Sequence, residues 1–171
     1  MKVKSEDVKR YDLYANGEEY DDMVKKADDN IIDNAMLILE KRMSVPESWI
    51  TSPKSSIEYL KLSIGNKEQE IFGCLFLDNR HGVISSEDLF YGTIDGASVH
   101  PREVVKAALR YNAAAIILYH NHPSGDPEPS RADISITKRL NDALMLIDIR
   151  VLDHIIIGGT NHSSLAEKGL I

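Results

Sequence analysis

At 171 residues, with 43% apolar and 27% charged positions, the chain has the composition of a globular protein with room for one sizeable core. Twenty basic residues stand against 27 acidic ones, a net charge of −7 that opposes nonspecific attraction to a nucleic-acid backbone. A single cysteine, Cys74, excludes an intrachain disulfide and a four-cysteine zinc site, and no apolar run approaches the roughly 18 residues that a bilayer span needs.

The amino terminus, MKVKSEDVKRYDLY, begins basic but lacks the apolar stretch of an export signal, so a cytoplasmic location and no membrane are expected. Residues 1–20 are polar, with Asn16-Gly17 as a turn signal. From Asp21 to about Met43 the apolar positions Val24, Ala27, Ile31, Ala35, Leu39 and Met43 recur at three- and four-residue spacing, which predicts an amphipathic helix. SVPESWITSP, residues 44–53, reads as a linker, with Trp49 as a packing anchor, and a short helix is expected through SSIEYLKLSI. The expected organisation is a helical extension and linker over 1–51, then one domain over 52–171.

IFGCLFLDNRHGVISSEDLF offers an apolar strand from Ile71 to Leu77, a turn at Asp78 to Gly82 and a second short strand, together a hairpin. Within it Cys74 reads as a buried small hydrophobe. Pro101 suits the first position of a helix that runs to about Asn112, with Val104, Val105, Ala108 and Leu109 on one face. AAAIILY, residues 113–119, is continuous enough to be a strand buried on both faces. Ser130 precedes another helix, lined by Ile136, Leu140, Ala143, Leu144 and Ile147, and IRVLDHIIIGG forms the last strand. Alternating strands and helices predict an α/β or α+β domain with helices packed on a mixed sheet.

Chemistry concentrates in HNHPSGDPEPSRAD, residues 120–133. Side chains two apart on an extended segment share a face, so His120 and His122 present both imidazoles together at the end of the buried strand. Imidazole suits zinc, and a carboxylate from Asp133 would complete a His2Asp set with one tetrahedral position left for water. Asp133 is open to a second reading. Ser130-x-x-Asp133 is also a capping box, in which both side chains merely satisfy free amides at a helix start. Other His-x-His chemistries fit poorly: Pro123, Ser124 and Gly125 stand where a metallo-β-lactamase-like site needs Asp and His, the chain is too short for an amidohydrolase barrel, and the helical periodicities contradict a cupin.

The same stretch matches the JAMM (MPN) metalloprotease signature His-x-His-x7-Ser-x2-Asp position for position. With GTIDGASVHPREVVKAAL before it and RVLDHIIIGG and SLAEKGL after it, the chain closely resembles the RadC family of JAMM-domain proteins over residues 52–171. The resemblance implies a JAMM/MPN-like mixed sheet flanked by helices, a cytidine-deaminase-like layered architecture. It implies one zinc ion per chain held by His120, His122 and Asp133, with Ser130 steadying the oxyanion of the substrate carbonyl and Glu70 managing protons. Glu68, Glu87 and Glu103 compete for that last role on sequence pattern alone.

A peptide or protein substrate is expected, cleaved at a peptide or isopeptide amide. Full-length relatives carry an amino-terminal module resembling a helix-hairpin-helix; residues 1–50 show none, so the chain resembles a short form. A metal-holding interaction module and a DNA-repair role are the rival readings. The second needs a basic face, for which Arg102, Lys106 and Arg110, or Lys138 with Arg139, are candidates that also read as solvated helix surface. Oligomeric state is left open. Among the other histidines, His81 and His162 are expected exposed, His100 and His154 packed or hydrogen-bonded, and Asp153 is a candidate support for the site.

Overall fold

The computed structural model describes residues 17–44, 53–92 and 99–171; the amino terminus before residue 17 and residues 45–52 of the expected linker, Trp49 among them, lie outside the described residues. The chain divides into two compact units after Ile38. Helix α1 (Gly17–Ser44) starts at the glycine of the Asn16-Gly17 signal and overruns the expected span at both ends.

The second unit carries the remaining elements: α2 (Pro53–Ile64), β1 (Ile71–Leu77), β2 (Val83–Tyr91), α3 (Pro101–Arg110), β3 (Ala115–Asn121), α4 (Arg131–Met145), β4 (Arg150–Gly158) and β5 (Asn161–Ser164). The strands form one mixed sheet in the order β2-β1-β3-β4-β5. β1 runs antiparallel to both β2 and β3, β3 runs parallel to β4, and β5 returns antiparallel to β4. With its flanking helices this is the α+β layered architecture that the alternating pattern predicts, with the mixed sheet that the JAMM/MPN resemblance implies.

Each expected element has a local cause. Asp78 turns the hairpin by accepting the N–H groups of Arg80 and Gly82, both at 2.8 Å, with His81 in a left-handed conformation at φ 65°. Every residue of β1 is buried, as a central strand covered on both faces must be. Its even-numbered residues Phe72, Cys74 and Phe76 pack with Ile116 and Leu118 of β3, Val104 and Ala108 of α3, and Leu140 and Leu144 of α4 in one core. Leu60 and Ile64 of α2 are fully buried outside that cluster, and α2 contacts β3, β4 and β5.

Three boundaries differ from the periodicity. α3 stops at Arg110, because Asn112 turns the chain with a positive φ of 50°. β3 starts two residues after the apolar run begins and continues through His120 and Asn121, since pairing with β1 and β4 extends past the last apolar side chain. β5 is an element the pattern does not announce: NHSS has no apolar alternation, and backbone pairing with β4 alone makes it a strand. His162 lies in it and is half-buried rather than exposed.

Four of the five candidate basic residues stand beside acids. Lys106 bonds Glu103 at 2.7 Å, Arg102 stands 3.8 Å from Glu103, Arg110 pairs with Glu87, and Lys138 bonds Asp142 at 2.8 Å. Among the described residues no helix is long and apolar enough to cross a membrane.

Candidate metal centre

Strand order explains why residues far apart in sequence meet. β3 ends at the His-Asn-His segment, and β4 reaches its parallel place beside β3 only through α4, so the start of α4 lies at that same end of β3. β1 runs the opposite way, with Phe72 paired to His120. Glu70, just before β1, and His122, just after β3, therefore lie at the same end of the sheet.

At this edge His120, His122 and Asp133 each offer one ligand atom, and these atoms all lie within 4.8 Å of one another. The two Nε2 atoms are 2.9 Å apart; Asp133 Oδ1 is 3.4 Å from His120 Nε2 and Oδ2 is 3.5 Å from His122 Nε2. Two imidazole nitrogens and a carboxylate aimed at one point are a donor set that fits a divalent cation of the zinc class. His120 is 1% exposed, and burial pulls its proton affinity down to about 4, so near neutral pH it is an uncharged ligand. The Asp133 carboxylate draws His122 the other way, upward. Burial pushes Asp133 up as well, but His122, His120 and the Ser130 hydrogen bonds outweigh it and hold the carboxyl well below the usual carboxylate range. A cation entering here meets a carboxylate already ionised.

The capping reading of Asp133 is realised, and its carboxylate still faces the histidines. Ser130 caps α4: its Oγ accepts the Asp133 N–H at 3.1 Å, while Asp133 Oδ2 accepts the Ser130 N–H at 2.7 Å. The capping box locks the carboxylate's rotamer, and the locked rotamer is the one that faces the histidines. Ser130 is exposed, and the bond it accepts leaves its hydroxyl hydrogen uncommitted.

The proline loop between β3 and α4 orients His122. Its Nδ1–H donates to the Asp126 carbonyl at 2.7 Å and its main-chain N–H donates to Ile157 at 2.8 Å, which leaves Nε2 pointing into the site. Gly125 makes the turn at φ 83°, and the loop lies directly on Gly158 at the end of β4.

Glu70 is half-buried and lines a cleft of about 950 Å³ together with Glu68, Gln69, Gly92, His122, Pro123 and Ser124. Of its competitors, Glu87 and Glu103 are held by Arg110 and Lys106 away from this cleft, whereas Glu68 shares it and is exposed. Asn121, on the opposite face from its histidine neighbours, is buried and clamps the segment that carries Glu70. Its Oδ1 accepts the Ile71 N–H at 2.7 Å, and its Nδ2 donates to the carbonyls of Lys67 and Gln69, both at 3.1 Å. Strand alternation identifies Asn121 only as facing away; its task is visible once β1 is paired to β3.

Two further residues sit behind the ligands. His154 on β4 is fully buried, with Nε2 2.8 Å from His120 Nδ1, and Thr137 on α4 is 2.6 Å from its other ring nitrogen. The expectation of a hydrogen-bonded His154 holds, but Thr137 carried no signal, standing one residue beyond the apolar Ile136. Asp153 accepts the main-chain N–H of His154, the residue behind the ligands, at 2.7 Å. It accepts from Ser164 at 2.6 Å and from the Ala166 N–H at 3.0 Å, and so ties β4 to the carboxy-terminal turn. His100 is exposed at the start of α3, edge-on to Phe90, and His81 is exposed in its turn.

The RadC-like JAB domain family matches residues 50–170. A UPF0758 protein of Nitrosococcus oceani is 61% identical over 122 residues, 71% of this chain and 54% of the relative. One of Thioalkalivibrio sulfidiphilus is 60% identical over the same length and shares. A UPF0758 protein of Vibrio cholerae is 52% identical over 139 residues, 81% of this chain and 87% of the relative. The chain thus spans about half the length of the first two relatives and most of the third. Their names state no activity.

Proposed function

This chain belongs to the RadC-like JAB domain family, and on that premise we propose that it is a zinc-dependent hydrolase that cleaves a peptide or isopeptide amide. The convergence of His120, His122 and Asp133 beside a cleft that also holds Glu70 carries the reading. Zinc, when bound by these three residues, supplies a Lewis acid for the substrate carbonyl and raises the acidity of water.

The chain's own groups do the rest. Glu70, in the cleft that His122 also lines, takes a proton from the attacking water and returns it to the leaving amine. Ser130 turns its free O–H toward the developing oxyanion while Asp133 N–H keeps its oxygen in place. The cleft beyond Glu70 receives the substrate chain. Residues 52–171 are the catalytic unit in this reading, with 1–51 as an extension.

Metal analysis of the native protein and of His122→Ala tests the centre: one zinc per chain, lost on substitution, is expected, and equal metal in both overturns it. Glu70→Gln should keep the zinc and lower cleavage of a fluorogenic peptide library by about 10²- to 10⁴-fold. Unchanged turnover removes Glu70 from the reaction.

A further inference from the structure

We propose that Thr137 and His154 are positioning residues that fix the ring tautomer of His120 and so present its bare Nε2 to the metal, an assignment that rests on the metal-centre reading. Three short hydrogen bonds in series dictate it. Thr137 Oγ1 lies 2.5 Å from the main-chain oxygen of Asp133. A carbonyl has no hydrogen, so the one proton of the hydroxyl must point there.

The same Oγ1 is 2.6 Å from His154 Nδ1. With its proton committed, Oγ1 can only accept, and His154 Nδ1 carries the hydrogen. His154 has no exposed surface, its ring nitrogens bond Thr137 and His120 with no carboxylate against either among the described residues, and the Phe72 ring stands edge-on 5.4 Å away, so an imidazolium here would be a buried charge without a counter-ion and the ring is neutral. A neutral imidazole has one N–H, which leaves Nε2 of His154 bare. His120 Nδ1, 2.8 Å away, must therefore donate. By the same rule His120 Nε2 is bare, and this is the atom 2.9 Å from His122 Nε2 and 3.4 Å from Asp133 Oδ1.

Metal-binding histidines commonly donate their second N–H to a carboxylate, a carbonyl or water, groups that accept in any state. Here the acceptor is another imidazole, which accepts in only one of its tautomers, and this is why a threonine is needed behind it. The direction of the whole chain of bonds is set by the backbone carbonyl of Asp133, the residue whose side chain is the third ligand.

The test combines zinc titration with nitrogen NMR of the histidine rings. Thr137→Val keeps the shape and removes the acceptor; it should bind zinc at unchanged stoichiometry but about 10- to 100-fold more weakly, the usual effect of losing an outer partner. Thr137→Ser, which restores the hydroxyl, should recover the affinity to within about twofold. In the native protein, with or without zinc, His154 should be protonated at Nδ1 and bare at Nε2, and Thr137→Val should populate the opposite tautomer. A purely structural role would move the unfolding midpoint and leave the tautomer alone.

Native-like zinc affinity in Thr137→Val, or an Nε2–H form of His154 in the native protein, overturns the assignment. If the native protein binds no zinc at all, the metal-centre reading fails, and the tautomer in the metal-free protein still decides between the two outcomes for His154.

Discussion

Gly158→Ala probes the seating of the proline loop on β4 and, through it, the metal ligands. A Cβ at this position would stand 2.5 Å from the Gly125 carbonyl oxygen and 2.7 Å from the Pro127 nitrogen, where ordinary van der Waals contact begins at 3.4 Å. Both are main-chain atoms, so no rotamer relieves the overlap, and the loop must withdraw by about 1 Å. That loop includes Asp126, whose carbonyl receives His122 Nδ1–H at 2.7 Å; a bond lengthened by about 1 Å is no longer a hydrogen bond.

Overpacking of this kind costs about 1–3 kcal/mol. Calorimetry of the metal-free protein should then show the midpoint of unfolding lowered by roughly 3–10 °C. Zinc titration should show affinity reduced by about 10- to 100-fold, because the acceptor that orients His122 has moved. Gly159→Ala is the control: that position has φ 56° and nothing within 4 Å of the added carbon, so strain lowers stability without reaching His122. A Gly158→Ala protein with native midpoint and native zinc affinity would refute the coupling.

Acid should weaken the metal-free fold. The folded-state proton affinity of His120 is depressed from 6.5 to about 4, and that of His154 is also depressed, so between those values the unfolded chain binds protons that the folded chain does not. Stability therefore falls as pH drops from about 6.5 to about 4, with His120 alone contributing on the order of 3 kcal/mol. His122, shifted upward by Asp133, has the opposite sign, but its stabilisation is complete below about 6.5 and fades only at higher pH, so it adds little slope in this window. Urea unfolding of metal-free protein at pH 7 and pH 4.5 measures this, and equal stabilities would contradict it. Asn121→Ala leaves the Ile71 N–H without its acceptor; about 1–3 kcal/mol of stability and part of the hydrolytic rate should be lost with zinc content intact, while loss of the zinc itself would refute the assignment of Asn121 to the Glu70 segment. Burial pushes the Cys74 thiol upward, so a thiol reagent should label it only on unfolding, and labelling of the native protein would contradict its place in the core.

Local pattern was sufficient wherever one physical cause acts within one segment. The apolar run Ile71–Leu77 read as a strand, Asp78 to Gly82 as its turn, and Ser130-x-x-Asp133 as the start of α4. His120 and His122 declared themselves by strand alternation, because a period of two residues puts both rings on one side. The sequence alone therefore determined the layered class, most element positions and the three candidate ligands.

Pairing between distant segments was decided only in the folded chain. Four glutamates were equivalent by pattern; antiparallel pairing of β1 with β3 brings Glu70 to the cleft that His122 lines, and two of the others pair with Arg110 and Lys106 elsewhere. Asn121, Thr137 and His154 look like ordinary polar residues in their own segments, because each acts on a partner at least 17 positions away. A hydrogen bond across a sheet leaves no periodicity in either strand, since its geometry is created by register and not by composition.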